Sequence, residues 1–336
     1  MKVSTVIKFS ISLILAGVIF YFVFRSVSFE DFSDKLSLVN YWWVLLSMAI
    51  SIISHWLRAY RWNLMLEPLG HQLSTGRTFL ALMSGYLANL AFPRLGEVTR
   101  CGVLKKNDAV PMSVGIGSVI TERALDFLIL LSLIVLDLIV EMDKILDYFM
   151  TSVRWDDWAD QRWVIFAIGG LLIVSGIVGI LILRYILSKE FKHPTVNKIK
   201  LKLAEIVSGL LSIKNVKSPV GYIISTILIW VLYFLMSYVI FFSMEETSIL
   251  TLGAGLSILA AAGVSMALPV QGGIGAYHAF VSGVLVIYGV GATTGLFLAT
   301  LLHTSQVILV VLVGGASLLI SLFVSKKKET VVPANT

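Results

Sequence analysis

Cysteine is nearly absent from this chain, whose 336 residues include a single one, Cys101. One thiol excludes an internal disulfide and any cysteine-based metal site, so we expect neither redox chemistry nor a bound metal. The chain also lacks a Gly-rich GxxxxGK loop, the signature of nucleotide-phosphate binding. Any transport is therefore expected to be secondary or passive, without ATP and without a cofactor.

Charged residues are scarce as well. They make up 14% of the chain, whereas 57% is hydrophobic and the mean hydropathy is +0.91. An average soluble domain carries about 25% charged residues, so this composition predicts a protein that lies mostly in lipid. The net charge of +6 would suit nucleic acid in a soluble protein, but here the positive residues cluster in particular loops, as orientation signals do. We expect membrane lipids as partners and no nucleic acid.

Long apolar runs predict six full helical crossings, and the run at residues 3–24 is too long for the core of a signal peptide. Lysine and arginine are enriched in segments 58–77, 184–217 and 326–328, whereas segment 141–160 is acidic. By the positive-inside rule, both termini are predicted to be cytoplasmic and the acidic segment external. The prediction is a multi-pass protein of the bacterial cytoplasmic (inner) membrane.

Two short segments share the pattern Ala, apolar, Pro, two variable residues, Gly. They are AFPRLG at residues 91–96 and ALPVQG at residues 267–272, and each follows an apolar run. Gly/Pro interruptions at matching places in two halves of a membrane protein indicate the binding region of a transporter. We interpret the segments as tips of two re-entrant helical hairpins, at about 78–107 and 249–290. A chance match between small-residue turns is the competing interpretation, because Gly and Pro are frequent in membrane proteins.

Charge parity supports the first hairpin. If residues 78–92 crossed the bilayer, Lys105 and Lys106 would lie outside and the acidic segment inside, against the positive-inside rule. Fifteen residues of helix also rise only about 22 Å, short of a roughly 30 Å hydrocarbon core. The chain should therefore dip in and return, and Cys101 on the returning arm is expected on the cytoplasmic side, out of reach of an impermeant maleimide.

The second hairpin depends on an internal repeat. Residues 41–57, a hairpin and residues 111–140 resemble residues 219–242, a hairpin and residues 293–324. The two halves would have opposite orientation, which defines an inverted-topology repeat. Two full crossings in place of the second hairpin satisfy the charges equally well, and both interpretations stay open.

Ionisable residues gather at and after the first tip. Arginine forks bind carboxylates and phosphates alike, and ionisable groups within a bilayer are functional by default. We predict a site for an anionic headgroup that neutralises itself when empty, because arginines and carboxylates are equal in number. Its predicted members are Arg94, Glu97, Arg100, Glu122, Arg123 and Asp126. A purely structural ion network is the alternative, as is a shorter span at 121–140 that leaves Glu122 and Arg123 at the inner surface.

The second tip offers uncharged hydrogen-bonding groups. Glycine lets backbone N–H groups approach an oxyanion closely, and an amide or a phenol adds hydrogen bonds. The predicted substrate-binding contributors are Gln271, Gly272, Gly273 and Tyr277. A plain Gly-Gly turn explains the glycines equally well. His303 and Gln306, one turn apart in the last apolar run, are expected to bridge helices rather than to bind a ligand.

Three segments carry a family resemblance: NLAFPRLGEVTRCGVLK at 89–105, ERALD at 122–126 and LPVQGGIGAYHA at 268–279. With RAYRW at 58–62, they resemble the transmembrane region of lysylphosphatidylglycerol synthases, a flippase-like family, over roughly residues 10–325. In bifunctional relatives this region is thought to move an aminoacylated lipid that a separate soluble domain makes. Such a domain is not expected here, so the resemblance implies lipid handling without synthesis and a lipid-modifying enzyme as a partner.

Two departures from the family pattern leave the substrate open: Gln271 stands where a proline or small residue is common, and His278 where an acidic residue is frequent. The arginines of RAYRW are by themselves ordinary inside-facing anchors. We expect no enzyme activity, because no histidine lies near the first tip and no nucleophile has an evident base. A membrane-embedded transferase acting on a lipid carrier and a small-solute secondary transporter stay open. The DDxxD spelling at 156–160 is typical of magnesium-diphosphate binding but is expected to be an outer loop.

The sequence therefore predicts an all-α polytopic membrane protein with two re-entrant hairpins in an inverted repeat. One flippase-like domain spans residues 1–325, with a basic cytoplasmic linker at 188–218 and a cytoplasmic tail at 326–336. The predicted function is to bind an anionic, aminoacylated or polyprenyl-phosphate-linked headgroup at the hairpin tips and to move it across the membrane. No feature of the sequence sets the oligomeric state.

Overall fold

The computed structural model describes residue 14 and residues 17–25, 29–152, 216–268 and 270–324. Every regular element in these ranges is a helix, which confirms the predicted all-α class. Residues 17–24 are helical. The later helices are α1 Phe29–Leu38, α2 Tyr41–Leu66, α3 Thr75–Ala91, α4 Leu95–Asp108, α5 Met112–Val140, α6 Met142–Ser152, α7 Pro219–Tyr238, α8 Leu252–Ala267, α9 Ala276–Ile287 and α10 Ala292–Phe323.

Three helical stretches of the described ranges are long and apolar enough to cross a bilayer. They are Tyr41–Leu69, Pro219–Ser243 and Ala292–Phe323. Helix α5 is also long, at 29 residues, but four charged side chains interrupt its apolar sequence. The other two predicted crossings lie partly or wholly outside the described residues, so the count of six stays a prediction.

Several predicted features fall outside the described residues. These are the part of the acidic segment after residue 152, the DDxxD spelling at 156–160, the basic linker at 188–215 and the tail at 326–336. Pro269, the proline of the second tip, is outside as well.

Local chemistry sets where the long helices begin. At α2, the Asn40 side chain accepts a hydrogen bond from the backbone N–H of Trp42 at 3.2 Å. Pro219 occupies the first turn of α7, where its missing N–H costs nothing, and the hydroxyl of Ser218 accepts from Gly221 N at 3.3 Å. Such caps satisfy backbone donors that have no partner inside the helix, so they fix the register of each helix entering the bundle.

Each half of the chain has its own apolar core. In the first half, Trp62 of α2 packs with Ala81 of α3, Cys101 and Leu104 of α4, and Val119 of α5. A larger cluster lies mainly in the second half and combines the 3₁₀ helix Val239–Ser243, which follows α7, with α8, α9 and α10. Its members include Ile240, Phe241, Ile258, Val281, Leu285, Phe297 and Leu302. Helix α2 packs along α7, and α3 packs along α10. The two halves are therefore joined by two pairs of packed helices.

Helices α3 and α4 form an antiparallel hairpin joined by residues 92–94. The two backbones are so close that a Cβ atom on Gly85 would stand 2.7 Å from the carbonyl oxygen of Gly96. The side chain of Asn89 accepts from Gly96 N at 2.6 Å near the tip. At the open end, Arg77 Nη1 lies 2.5 Å from Asp108 Oδ1. Hydrogen bonds and an ion pair thus close the hairpin at both ends.

Helices α8 and α9 also pack against each other, joined through a 3₁₀ turn at Gln271–Gly273. The φ angles of Gly272, Gly273 and Gly275 are 59°, 73° and 81°, in the left-handed region that a side chain makes costly. Glycine is therefore required by the backbone of this tip, as the turn interpretation predicts.

Helix α10 shows how the two hairpins are arranged. Asn107, at the open end of the first hairpin, donates to the carbonyl of Ser321 near the last turn of α10 at 2.9 Å. A Cβ atom on Gly295, in the first turn of α10, would lie 3.3 Å from Leu285 near the end of α9. Between these points, Nε2 of His303 lies 2.8 Å from the carbonyl oxygen of Gly272. The two hairpins therefore open toward opposite ends of α10, and the second tip lies beside its middle.

One ion pair outside the candidate spans predicts a pH dependence. The pKa of Glu246 is lowered by a hydrogen bond from Thr294, at 2.5 Å, and by Lys35, whose Nζ lies 3.1 Å away. A lowered pKa means that this carboxylate stabilises the fold above its unfolded pKa of about 4.3, and that the contribution is lost as pH falls through the folded value. The side chain is 53% exposed, so we expect less than about 1 kcal/mol.

The measurement is thermal unfolding in detergent between neutral pH and about pH 3, below the usual glutamate pKa. Glu246→Gln should lower the unfolding midpoint at neutral pH and remove part of the loss on acidification. Glu245→Gln is the matched control, because Glu245 forms no ion pair within the described part of the chain. Equal acid sensitivity of wild type and Glu246→Gln would contradict the assignment.

Candidate functional site

Three helices of the first half bring ionisable side chains together. Arg58 and Arg61 are three residues apart on α2 and therefore share one face of that helix. Arg100 comes from α4, the returning arm of the first hairpin. Glu122 and Asp126 are four apart on α5 and also share a face. We call these five residues the ion cluster.

The ion cluster is connected by direct hydrogen bonds. Glu122 binds Arg58 through Oε1 and Arg100 through Oε2, the latter at 2.9 Å. Asp126 accepts from Arg61 at 2.7 Å through Oδ1 and from Arg58 at 3.0 Å through Oδ2. Arg61 also donates to Oε1 of Glu122, at 3.5 Å. Glu122 therefore joins three arginines and Asp126 joins two, and Glu122 links the second arm of the hairpin to α2.

The ion cluster is almost completely removed from solvent. The exposed fractions are 6% for Arg58, 0% for Arg61, 2% for Arg100 and 1% for Glu122. Burying a charge costs several kcal/mol unless it is paired and hydrogen-bonded, so these pairs must form together or not at all. Glu122 is therefore not solvated, contrary to what the alternative of a shorter span expects, whereas Arg123 is exposed.

Aromatic side chains support the guanidinium groups. Arg100 lies over the ring of Trp62, 4.6 Å from the centroid, and the indole N–H of Trp62 donates to Ser118 at 2.9 Å. Arg58 Nη1 donates to the hydroxyl of Tyr233 on α7 at 2.8 Å. Cation–π contact and a phenol partner let a guanidinium stay buried with fewer carboxylates.

The ion cluster has one excess positive charge, because it contains three guanidinium groups and two carboxylates. Among the described residues, several of its buried donors have no hydrogen-bond partner: Nε of Arg58, Nε of Arg61 and Nη1 of Arg100. A buried donor without an acceptor costs about 1–3 kcal/mol. This part of the structure can therefore accept an additional anion.

A narrow cleft that is open to the outside adjoins the ion cluster at Arg100. It lies between the two arms of the first hairpin and α5. Its lining residues are Leu82, Gly85, Tyr86, Asn89, Gly96, Glu97, Arg100 and Arg123. Arg123 is exposed and has no ion-pair partner in the described ranges, and Oε2 of Glu97 is buried without one. We call this opening the tip cleft.

The structure brings together five of the six predicted first-tip residues, at the tip cleft or in the ion cluster next to it: Glu97, Arg100, Glu122, Arg123 and Asp126. Arg94 is separate. It is exposed at the tip, has a left-handed φ of 63°, and forms no hydrogen bond or ion pair with another described residue. The predicted neutral set of Arg94, Arg100 and Arg123 with three carboxylates is therefore wrong in its pairing.

Besides Arg100, the arginines that neutralise the carboxylates are Arg58 and Arg61, which the sequence by itself suggests are ordinary inside-facing anchors. The apolar span was predicted to end at Leu57, but α2 continues to Leu66 and buries both arginines. A signal for this was present. Polar residues recur on one buried stripe of α2, at Ser47, Ser51, Ser54, Arg58 and Arg61.

At the second tip, the predicted residues are divided. Gln271 Nε2 donates to the carbonyl oxygens of Leu90 and Ala91 at 3.0 and 2.9 Å, which places Gln271 and Gly272 against the end of α3. Gly273 is buried behind them. Tyr277 is buried in the apolar core of the second half and does not reach the tip cleft. His303 contacts Gly272, so it bridges elements as predicted, and Gln306 Nε2 reaches Ser47 at 3.4 Å.

Cys101 does not serve as the expected reporter of topology. Its thiol is 2% exposed and packs against Gly115, so a maleimide has no access to it from either side of a membrane. Labelling to determine topology needs a cysteine at an exposed position. Lys106→Cys, at the open end of the first hairpin, is suitable because Lys106 is exposed.

The fold and the buried ion cluster define a polytopic α-helical membrane protein. The chain belongs to the family described as lysylphosphatidylglycerol synthase TM region, which it matches over residues 7–314. It is similar to the UPF0104 membrane protein MJ1595 of Methanocaldococcus jannaschii, with 22% identity over 259 residues that cover 70% of this chain and 75% of the relative. No solved structure matches the chain. The family resemblance predicted from the motifs is thus confirmed.

Proposed function

We propose that this protein binds the anionic headgroup of a membrane lipid in the tip cleft and moves the lipid across the membrane. The observation that carries the proposal is the excess positive charge of the ion cluster, together with the unpartnered Nη1 of Arg100 at the cleft. A phosphate supplies acceptors on several sides. It would satisfy this donor and pair with Arg123, which has no ion pair in the described ranges.

The helices of both hairpins are short, which bears on how a headgroup reaches the tip cleft. Helix α3 has 17 residues and rises about 25 Å, and α4 has 14 and rises about 21 Å, both short of a hydrocarbon core of roughly 30 Å. The lengths support a first hairpin that re-enters rather than crosses. The second hairpin, with helices of 16 and 12 residues, opens toward the other end of α10. We propose that the two form an inverted repeat with tips meeting inside the bilayer, as in alternating-access carriers.

The orientation is part of the proposal. Exposed Lys105 and Lys106 stand at the open end of the first hairpin, which the positive-inside rule assigns to the cytoplasm. The headgroup would then enter from the cytoplasmic leaflet of a bacterial inner membrane and leave through the second hairpin. We assign no covalent step to the protein, so the lipid recovered from it should be chemically unchanged.

The test is native mass spectrometry of protein purified in mild detergent, followed by identification of any retained lipid. Wild type is expected to retain anionic phospholipid. Arg123→Ala should reduce this retention about tenfold, the effect of one charge-assisted hydrogen bond. Lys105→Ala is the matched control, because Lys105 is an exposed cation of the same region that does not line the tip cleft.

Two outcomes would overturn the proposal. Equal retention in wild type and Arg123→Ala would mean that no headgroup binds in the tip cleft, which would leave the ion cluster with a structural role only. A chemically altered lipid would instead favour the transferase, the alternative that the sequence leaves open.

A further inference from the structure

The second tip is docked on the first by its single amide side chain. Gln271 donates to the carbonyl oxygens of Leu90 and Ala91, and both are in the last turn of α3, where carbonyls have no partner within the helix. Asn89, the preceding residue of α3, lines the tip cleft. The docked second tip therefore covers the end of α3 next to that cleft.

Two histidines hold the second tip from behind. His303 of α10 contacts the carbonyl oxygen of Gly272 through Nε2 at 2.8 Å. His278 of α9 receives the backbone N–H of Gly275 on Nδ1 at 3.2 Å. The rings of the two histidines are 4.9 Å apart. The turn between Gly272 and Gly275 is thus fixed at each end by one imidazole.

The hydrogen-bond partners assign the protons of these rings. A carbonyl oxygen can only accept, so Nε2 of His303 carries a proton, which both the neutral and the charged ring allow. A backbone N–H can only donate, so Nδ1 of His278 is unprotonated and the ring is neutral. Protonation of His278 would place one N–H against another. His278 is therefore the only one of the two whose charging breaks a hydrogen bond of the tip.

The described surroundings of His278 offer no negative charge that would stabilise a protonated imidazole ring. The side chain is 3% exposed. The titratable groups that face it are His303 from α10 and Tyr277 from its own helix, while residues 17–24 contribute the uncharged rings of Phe20 and Phe24. Within the described ranges, no carboxylate or cationic side chain is hydrogen-bonded to it. A charged His278 can gain water only if the tip moves.

We propose that His278 is a proton-binding site that controls docking of the second tip on the first. With His278 neutral, Gly275 is capped and Gln271 binds the end of α3. With His278 protonated, the cap is lost, the ring hydrates, and Gln271 leaves the carbonyls of Leu90 and Ala91. The ligand of this site is the proton, which makes opening between the hairpins sensitive to pH whether or not a lipid occupies the tip cleft.

The test is amide hydrogen exchange of the full chain in lipid nanodiscs, followed by mass spectrometry on the peptide that contains residues 270–280. Exchange is compared across roughly pH 4 to 7.5, a range that includes the ordinary histidine pKa of about 6.5, with labelling times scaled to cancel the intrinsic pH dependence. In wild type, protection at the tip should fall about tenfold or more as pH decreases, in line with the loss of a hydrogen bond.

Two variants separate the histidines. His278→Asn places an amide oxygen near the position of Nδ1 and cannot be protonated, so its tip should stay protected at every pH. His303→Gln keeps an N–H donor near the position of Nε2, so its tip should respond to pH as wild type does. The proposal is overturned if His278→Asn responds as wild type does, or if wild type shows no pH dependence.

A third variant tests the proposal if His278→Asn does not fold. Gln271→Ala removes the docking hydrogen bonds, so its tip should exchange rapidly at high pH and change little on acidification. A full wild-type pH dependence in Gln271→Ala would overturn the proposal. Retained lipid is measured on the same samples, so a failure of the headgroup site is visible separately.

Discussion

Glu122→Gln is expected to lower the free energy of unfolding by about 3–5 kcal/mol, the cost of breaking a buried ion pair by removing one partner. The reason is the position of Glu122 at the centre of the ion cluster. Its two oxygens bind Arg58 and Arg100, and all three side chains are buried. Without this carboxylate, Arg100 would lose its ion pair, and Arg58 and Arg61 would share Asp126 alone.

The measurement is thermal unfolding in detergent together with the fraction of monodisperse protein after purification. Glu97→Gln is the matched control, because Glu97 is nearby on α4 but forms no ion pair with another described residue. We expect the control to behave nearly as wild type. Wild-type unfolding of Glu122→Gln would mean that the ion cluster does not hold α2, α4 and α5 together.

Gly85→Ala is expected to destabilise the protein by about 1–3 kcal/mol, although alanine ordinarily favours a helix. The added Cβ would stand 2.7 Å from the carbonyl oxygen of Gly96 and 3.1 Å from Cβ of Arg100. A backbone oxygen cannot move aside as a side chain does, so the arms of the first hairpin must separate. Because Arg100 is on the second arm, its hydrogen bond to Glu122 should weaken as well.

Gly102→Ala provides the contrast within the same hairpin. A Cβ there meets no atom within 4 Å, so the helix propensity of alanine should stabilise the protein by up to about 1 kcal/mol. Unfolding midpoints of the two variants should therefore move in opposite directions. A harmless Gly85→Ala would show that the arms of the hairpin do not pack as closely as described.

The sequence predicts the helical class and the turns that follow α3 and α8 because their signals are local. A hydrophobic run, a missing N–H at Pro219 and positive φ angles at the glycines of the second tip are properties of neighbouring residues. The pairing of charges is a different matter. Arg58 lies 64 residues from Glu122 and Arg100 lies 22 residues from it, so their contacts depend on how helices pack.

Helix length explains why the pairing was mispredicted. A charge normally marks the end of an apolar span, which placed Arg58 and Arg61 at the membrane surface. In the structure α2 continues through them, because Glu122 and Asp126 arrive from α5 to neutralise them. Whether two arginines on one helix are buried can thus be predicted only when the carboxylates that another helix brings to them are known. Tyr277 illustrates the same limit, since its burial in the second core follows from packing of α9 against α10.

The most direct test of lipid movement at the tip cleft is a flip assay in proteoliposomes. Fluorescent anionic and zwitterionic phospholipids are compared, and a membrane-impermeant reagent reports the lipid that reaches the outer leaflet. Wild type should move the anionic lipid faster, Arg123→Glu should lose this preference, and Lys105→Glu should keep it. Equal rates for both lipids in wild type, or an unchanged preference in Arg123→Glu, would contradict the account.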